Sequence, residues 1–202
     1  MTLSKKEIEQ PRTPKELVAF VESVRSRAME EEELRVAGHL RKGYLKEFFD
    51  EVVPLSRAAS YLYPADYTLC PILGNQGYDA EVRDPQGKLV DHVEIANPID
   101  GKTVADAGQQ LVERGFTDVQ VGNPGDDLEA LMPILFQTAS KKAMKDYSDS
   151  TVIFNVSALP AFEGFEDRYE GQVARIRREL SSEGFRAKRV VVLLPSGQVV
   201  EI

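Results

Sequence analysis

Residues 77–97 constrain this chain more than any other stretch. Gly77-Tyr78-Asp79-Ala80-Glu81-Val82-Arg83 alternates polar and apolar side chains, Asp84-Pro85-Gln86-Gly87-Lys88 carries turn residues, and Leu89 to Asn97 is rich in apolar residues. This is the pattern of two strands joined by a tight turn. Period-two geometry puts Val90, His92, Glu94 and Ala96 on one face and Asp91, Val93 and Ile95 on the other. Asp79 falls early on the first strand, where a hairpin brings it near Glu94. Two acidic side chains converging on one sheet face form a candidate site for a hard divalent cation.

The flanking sequence supplies the layers such a hairpin needs. Residues 1 to about 12 are polar and read as a loose tail. Thr13-Pro14-Lys15-Glu16 combines an N-cap, a proline at the first helical position and an acid at the third, and Leu17, Phe20, Val21 and Val24 follow at helical spacing. A second amphipathic stretch runs from Leu34 through Phe49, with Gly38 or Gly43 as a break or bend and Pro54 at or near its end. Tyr61-Leu62-Tyr63 reads as a short strand before Pro64. After the hairpin come a helix from about Thr103 to Arg114 stopped by Gly115, a strand from Phe116 to Val121, and a loop at Gly122-Asn123-Pro124-Gly125. A helix capped by Asp126 or Asp127 then runs to about Tyr147, with Pro133 as a candidate kink. Thr151 to Val156 is a β-branched and aromatic run suited to a central strand, Phe165 to Leu180 is helical, and Arg189 to Leu194 and Gln198 to Ile202 are strands. The class is α/β, a mixed central sheet flanked by helices. The expected division is residues 1–38 as N-terminal tail and helix, and residues 39–202 as a single α/β domain.

Composition narrows the chemistry. The single cysteine, Cys70, excludes an internal disulfide and cysteine-based zinc sites, and it fits a reducing cytoplasm. Two histidines, His39 and His92, leave no histidine-rich metal site. The N-terminus lacks the apolar core of a signal peptide, and no apolar run reaches the roughly 20 residues of a membrane span. A net charge of −8 works against general phosphate binding, and the clusters Lys141-Lys142 with Lys145 and Arg175, Arg177 and Arg178 read as solvated helix faces. No GxGxxG, Walker A or GxSxG motif is present.

A helix, then a strand hairpin carrying Asp79 and Glu94 about fifteen residues apart, then a helix and a further strand resembles the PD-(D/E)XK nuclease-like superfamily. The resemblance covers residues 40 to 160 and implies a restriction-endonuclease-like core with an N-terminal helical extension. It implies that Asp79 and Glu94 hold Mg²⁺ or Mn²⁺ and that DNA is the substrate. Glu47 or Glu51, on the helix before the sheet, would be the auxiliary acid that some members place there. The family's Lys, two residues beyond the second acid, is replaced here by Ala96. Members of the family move this Lys to a neighbouring element, which makes Lys102 the nearest substitute, and Gln109 or Gln110 matches a polar site position on the following helix.

Two expectations follow from different classes. One is a metal-dependent nuclease using Asp79, Glu94, Lys102 and Gln109. The other is an inactive nuclease-fold module, a scaffold or interaction domain whose N-terminal helices serve a homodimer or a protein partner, consistent with Ala96 and the acidic balance. Each residue also has a plain structural reading. Asp79 beside Gly77 suits a strand-start turn, Glu94 suits a strand acid paired with His92 or a Lys, and Tyr78, Cys70 and His39 suit packing or surface positions.

Overall fold

The structure is a computed structural model that describes residues 3–74, 76–99, 101–116, 124–156 and 170–202, with backbone alone at 124–127. The strand expected from Phe116 falls almost wholly outside these residues, as does the start of the helix expected from Phe165. The described chain is an α/β fold with a six-stranded mixed sheet in the order β1-β2-β3-β4-β5-β6. It divides into two compact units, one of Met1–His92 with Asp100–Val119, the other of Val93–Ile99 with Gln120–Ile202. No described helix is long and apolar enough to cross a membrane.

The first unit begins with a docked segment rather than the expected loose tail. Ser4 caps helix α1 (Lys5–Ile8), and Ile8 is fully buried. Arg12 exchanges both backbone hydrogen bonds with Leu69, at 2.9 and 2.7 Å, so the segment covers the edge of β1 (Thr68–Pro71). Helix α2 (Pro14–Glu30) starts at the capping box read from the sequence, with Thr13 and Glu16 each satisfying the other's backbone N–H. Leu17, Phe20, Val21 and Val24 are its buried stripe, so this helix belongs to the unit's core. Helix α3 (Glu32–His39) ends in a Schellman arrangement: Lys42 N–H donates to Ala37 O at 2.9 Å and Arg41 N–H to Gly38 O at 3.1 Å. Arg41 holds the left-handed position with φ 47°, where glycine is usual.

Pro54 does not end the next helix. Helix α4 (Leu45–Glu47) runs into a π turn, Phe48–Val52, and then into α5 (Val53–Leu62). The wider turn resets the hydrogen-bond register just before Pro54, which then sits in the first turn of α5, where its missing N–H costs nothing. Tyr61 and Leu62 consequently finish a helix instead of forming the expected strand. Strand β2 (Ala80–Arg83) pairs antiparallel with β1, and the turn to β3 (Leu89–Ala96) is closed by Asp84 N–H to Lys88 O at 3.0 Å. Asp91, Val93 and Ile95 are buried while Val90, His92 and Glu94 are half-buried, the two-face division expected from alternation. Helix α6 (Gly101–Arg114) completes this unit.

In the second unit, α7 (Pro124–Ala143) keeps Pro133 inside it and ends four residues before Tyr147, which lies in β4 (Asp146–Asn155). Buried Leu128, Met132, Leu135 and Ala139 form one stripe of α7. They pack with Ile176 and Leu180 of α8 (Glu170–Ser182), Val152 and Phe154 of β4, and Val190 and Val192 of β5 (Arg186–Leu193). Strand β5 runs parallel to β4, as a crossover connection requires, and antiparallel to β6 (Val199–Glu201).

Helix α6 approaches the end of α3 so closely that a Cβ on Gly108 would lie 2.1 Å from the His39 carbonyl oxygen. Gly108→Ala is expected to destabilise the protein by about 1–3 kcal/mol in chemical denaturation. Gly171→Ala in α8, whose Cβ would meet nothing within 4 Å, is expected to be neutral or stabilising. Equal effects of the two substitutions would contradict this packing.

Candidate functional site

Glu47, Asp50 and Glu51 of the first unit lie on the stretch that contains the π turn. Asp79 sits just before β2, half-buried, with its carbonyl accepting from Ile72 N–H at 2.9 Å. Glu51 is half-buried in the π turn, and its carboxyl is pushed up to about 8. Burial is the largest cause; the negative charges of Asp79 and Glu47 add to it, Lys46 opposes it, and Asp50 contributes last. Asp50 is itself neutralised by Arg41 and by Lys46 at 3.4 Å. Glu47 Oε2 is buried and has no hydrogen-bond partner among the described residues. This is a pocket of negative charge partly relieved by a proton on Glu51.

The second unit treats Glu94 differently. Its Oε1 accepts from the Lys142 ammonium and from the Tyr147 hydroxyl, the latter at 3.4 Å. The Lys142 and Glu94 side chains are 18% and 12% exposed, which places the ion pair well below the surface. Burial pulls the Lys142 ammonium down, but the hydrogen bond and charge of Glu94 together with Tyr147 outweigh it and leave the pKa raised. The Tyr147 phenol is raised by burial first and by the Glu94 charge second. Lys142 continues the buried stripe of α7, three residues after Ala139 and seven after Leu135. It is therefore no solvated-face lysine, in contrast to the exposed Lys141 and Lys145.

The remaining expected residues are distributed as follows. Lys102 is exposed in the first turn of α6. Gln109 is exposed on the same helix and donates its amide to Glu113 at 2.6 Å. Ala96 is buried among the apolar residues of the second unit, where an ordinary lysine would have no water. The His92 ring stacks on Tyr78 with centroids 4.1 Å apart. The Cys70 thiol donates to Glu9 O at 3.0 Å, and burial foremost pushes its pKa up, so it rests as a thiol. Asp91 is a buried acid that alternation alone did not flag as special; Tyr63 donates its hydroxyl to it at 2.9 Å.

Among the described residues, no group of three or more His, Cys, Asp or Glu side chains is gathered closely enough to hold a metal ion. Comparison with family models, with curated proteins and with solved structures returned no match.

The raised carboxyl of Glu51 fixes the sign of a pH effect. Between about pH 4.5 and 8 the folded chain keeps a proton on Glu51 that the unfolded chain has lost. Stability from this group is full below the unfolded pKa and drains away as pH rises toward 8. Melting temperatures measured across that range should fall more steeply for the wild type than for Glu51→Gln. Parallel profiles would show that Glu51 is ionised in the folded state.

Proposed function

We propose that this protein is a divalent-metal-dependent phosphodiester hydrolase of the PD-(D/E)XK nuclease-like type, acting on DNA. The observation that carries the reading is the half-buried hydrogen bond from Lys142 to Glu94. The motif resemblance lacked a lysine because Ala96 occupies its position, and Lys142 supplies an ammonium to the second acid from the neighbouring helix α7. In this reading Lys142 takes the role for which Lys102 was the sequence candidate.

The donor chemistry of the acids fits a hard cation. Burial first, and the charges of Asp79 and Glu47 second, keep a proton on Glu51, and a buried Glu47 oxygen has no hydrogen-bond partner among the described residues. Mg²⁺ is commonly held by one or two carboxylates with water and substrate phosphate completing the shell, so a three-carboxylate cage is not needed. The family resemblance implies Asp79 and Glu94 as the ligands, with Glu51 as the auxiliary acid. When bound, the ion supplies Lewis acidity and lowers the pKa of a water molecule. The chain's own contribution is electrostatic. The Lys142 ammonium, kept protonated by Glu94, offers a positive charge to a phosphate oxygen, and Tyr147 orients the same carboxylate.

A second reading draws on the same ion pair. Lys142 already neutralises Glu94, so the acid is satisfied without a metal, as an inactive interaction module would require.

Calorimetric titration of Mn²⁺ and Mg²⁺, followed by cleavage of supercoiled plasmid, separates the two readings. The nuclease reading expects metal binding that strengthens as pH rises through 8 and displaces the Glu51 proton. It also expects cleavage that Lys142→Met or Glu94→Gln lowers by about a hundredfold or more while the fold is retained. Wild-type protein that shows neither binding nor cleavage, with DNA present as well as absent, belongs to the inactive module.

A further inference from the structure

We infer that the first unit carries a second, separate site, an apolar cavity that binds an amphipathic anion of the alkyl carboxylate class. The cavity has a volume of about 600 Å³ and is formed by α2, α3, the α4–π stretch and α6. Small-molecule sites are typically concave, mainly apolar and roughly 300–1,000 Å³ in size. Its wall is made by Val24, Leu34, Phe48 and Leu111, and α6 adds the small residues Ala107 and Gly108 to the lining. Helix α6 cannot close this space by moving inward, because Gly108 already meets the His39 backbone without a Cβ.

The charges around it are selective. In a chain with 33 acidic and 25 basic residues, the lining includes Arg25, Arg35 and Arg41 and no acidic side chain. Arg25 is paired with Glu22 at 2.7 Å, and Arg41 with Asp50. Arg35 is exposed and has no carboxylate partner among the described residues. Exposed Met29 stands with it in the lining, so a flexible apolar side chain and a guanidinium share the open part of the cavity. An apolar chamber with arginine at its opening suits a ligand with an alkyl body and one anionic head. The body removes apolar surface from water, and the planar carboxylate matches the guanidinium fork. An alkyl cation would meet the Arg35 guanidinium with no acidic side chain in the lining to offset it. The site uses none of Asp79, Glu94 or Lys142, so its fate is independent of the nuclease reading.

Calorimetric titration of dodecanoate below its micellar concentration, with dodecyltrimethylammonium as the matched cation, tests the inference on the full chain. Dodecanoate is expected to bind with one-to-one stoichiometry and to raise the melting temperature, whereas the cation should do neither. Ala107→Phe on α6 and Ala28→Phe on α2 fill the chamber from different helices, and either should raise the dissociation constant at least tenfold. Arg35→Gln should weaken dodecanoate roughly tenfold, as loss of a charge-assisted bond does, with Arg35→Lys falling in between. Equal binding of anion and cation, an unchanged affinity in both folded filling variants, or no heat with dodecanoate would each overturn the proposal.

Discussion

A carboxylate taken out of water must acquire a proton, a hydrogen-bond donor or a counter-cation, and three acids of this chain show the three solutions. Glu51 keeps its proton, because burial and the charges of Asp79 and Glu47 make ionisation costly. Asp91, at 3% exposure, receives the Tyr63 hydroxyl. Glu94 receives the Lys142 ammonium and the Tyr147 hydroxyl. Asp91 and Glu94 both lie on β3, on opposite faces, so this strand sends a carboxylate into each side of the sheet. Each acid meets its partner within its own unit, Tyr63 at the end of α5 for Asp91 and Lys142 near the end of α7 for Glu94.

These solutions differ in what they leave available for chemistry. A tyrosine hydroxyl meets one carboxylate oxygen with a neutral donor and adds no counter-charge. A protonated acid is a latent ligand, since a cation of sufficient affinity displaces the proton and gains the carboxylate. A lysine–carboxylate pair is both a structural satisfaction and a poised charge. Breaking it by removing one partner leaves the other ion buried, which is costlier than losing the net value of the pair. That asymmetry holds Lys142 in its protonated form and keeps its position defined.

Much of the architecture was legible from local patterning. The capping box at Thr13, the hairpin turn at Asp84–Lys88, the alternation on β3 and the continuous apolar run in β4 all specify structure through residues close in sequence. The misreadings came where a partner distant in sequence decided the outcome. The polar N-terminal segment is held by Leu69, whose backbone lies fifty-seven positions beyond Arg12. Local sequence puts Pro54 at or near the end of its helix, because a proline inside a helix removes a hydrogen bond, whereas the preceding π turn makes its missing N–H harmless. Lys142 is the instructive miss for the site. Grouped with Lys141 and Lys145 it looked like a solvated face, yet its spacing from Leu128, Leu135 and Ala139 put it on the buried stripe, and that spacing was present in the sequence. A lysine on the apolar face of a helix needs an acid to meet it, and Glu94 is that acid.

The irregular backbone of the first unit is concentrated in residues 41–53. Arg41 adopts the left-handed conformation at a position that glycine would fill more cheaply, by about 1 kcal/mol. Its side chain offsets that cost through the Asp50 ion pair and by lying over the Phe49 ring at 5.9 Å. A few residues later the π turn departs from ideal helix geometry, where an uninterrupted α-helix would give a more uniform hydrogen-bond ladder. This short stretch carries Glu51, whose carboxyl is raised, Glu47, which has a buried oxygen without a hydrogen-bond partner among the described residues, and Phe48 and Phe49, which line the cavity. Departures of this kind persist only where surrounding structure over-determines them. Here the surrounding structure is the buried face of α2 on one side and the Arg41–Asp50 pair on the other. Local regularity is given up in the stretch where carboxylate chemistry and an apolar chamber are built from consecutive residues.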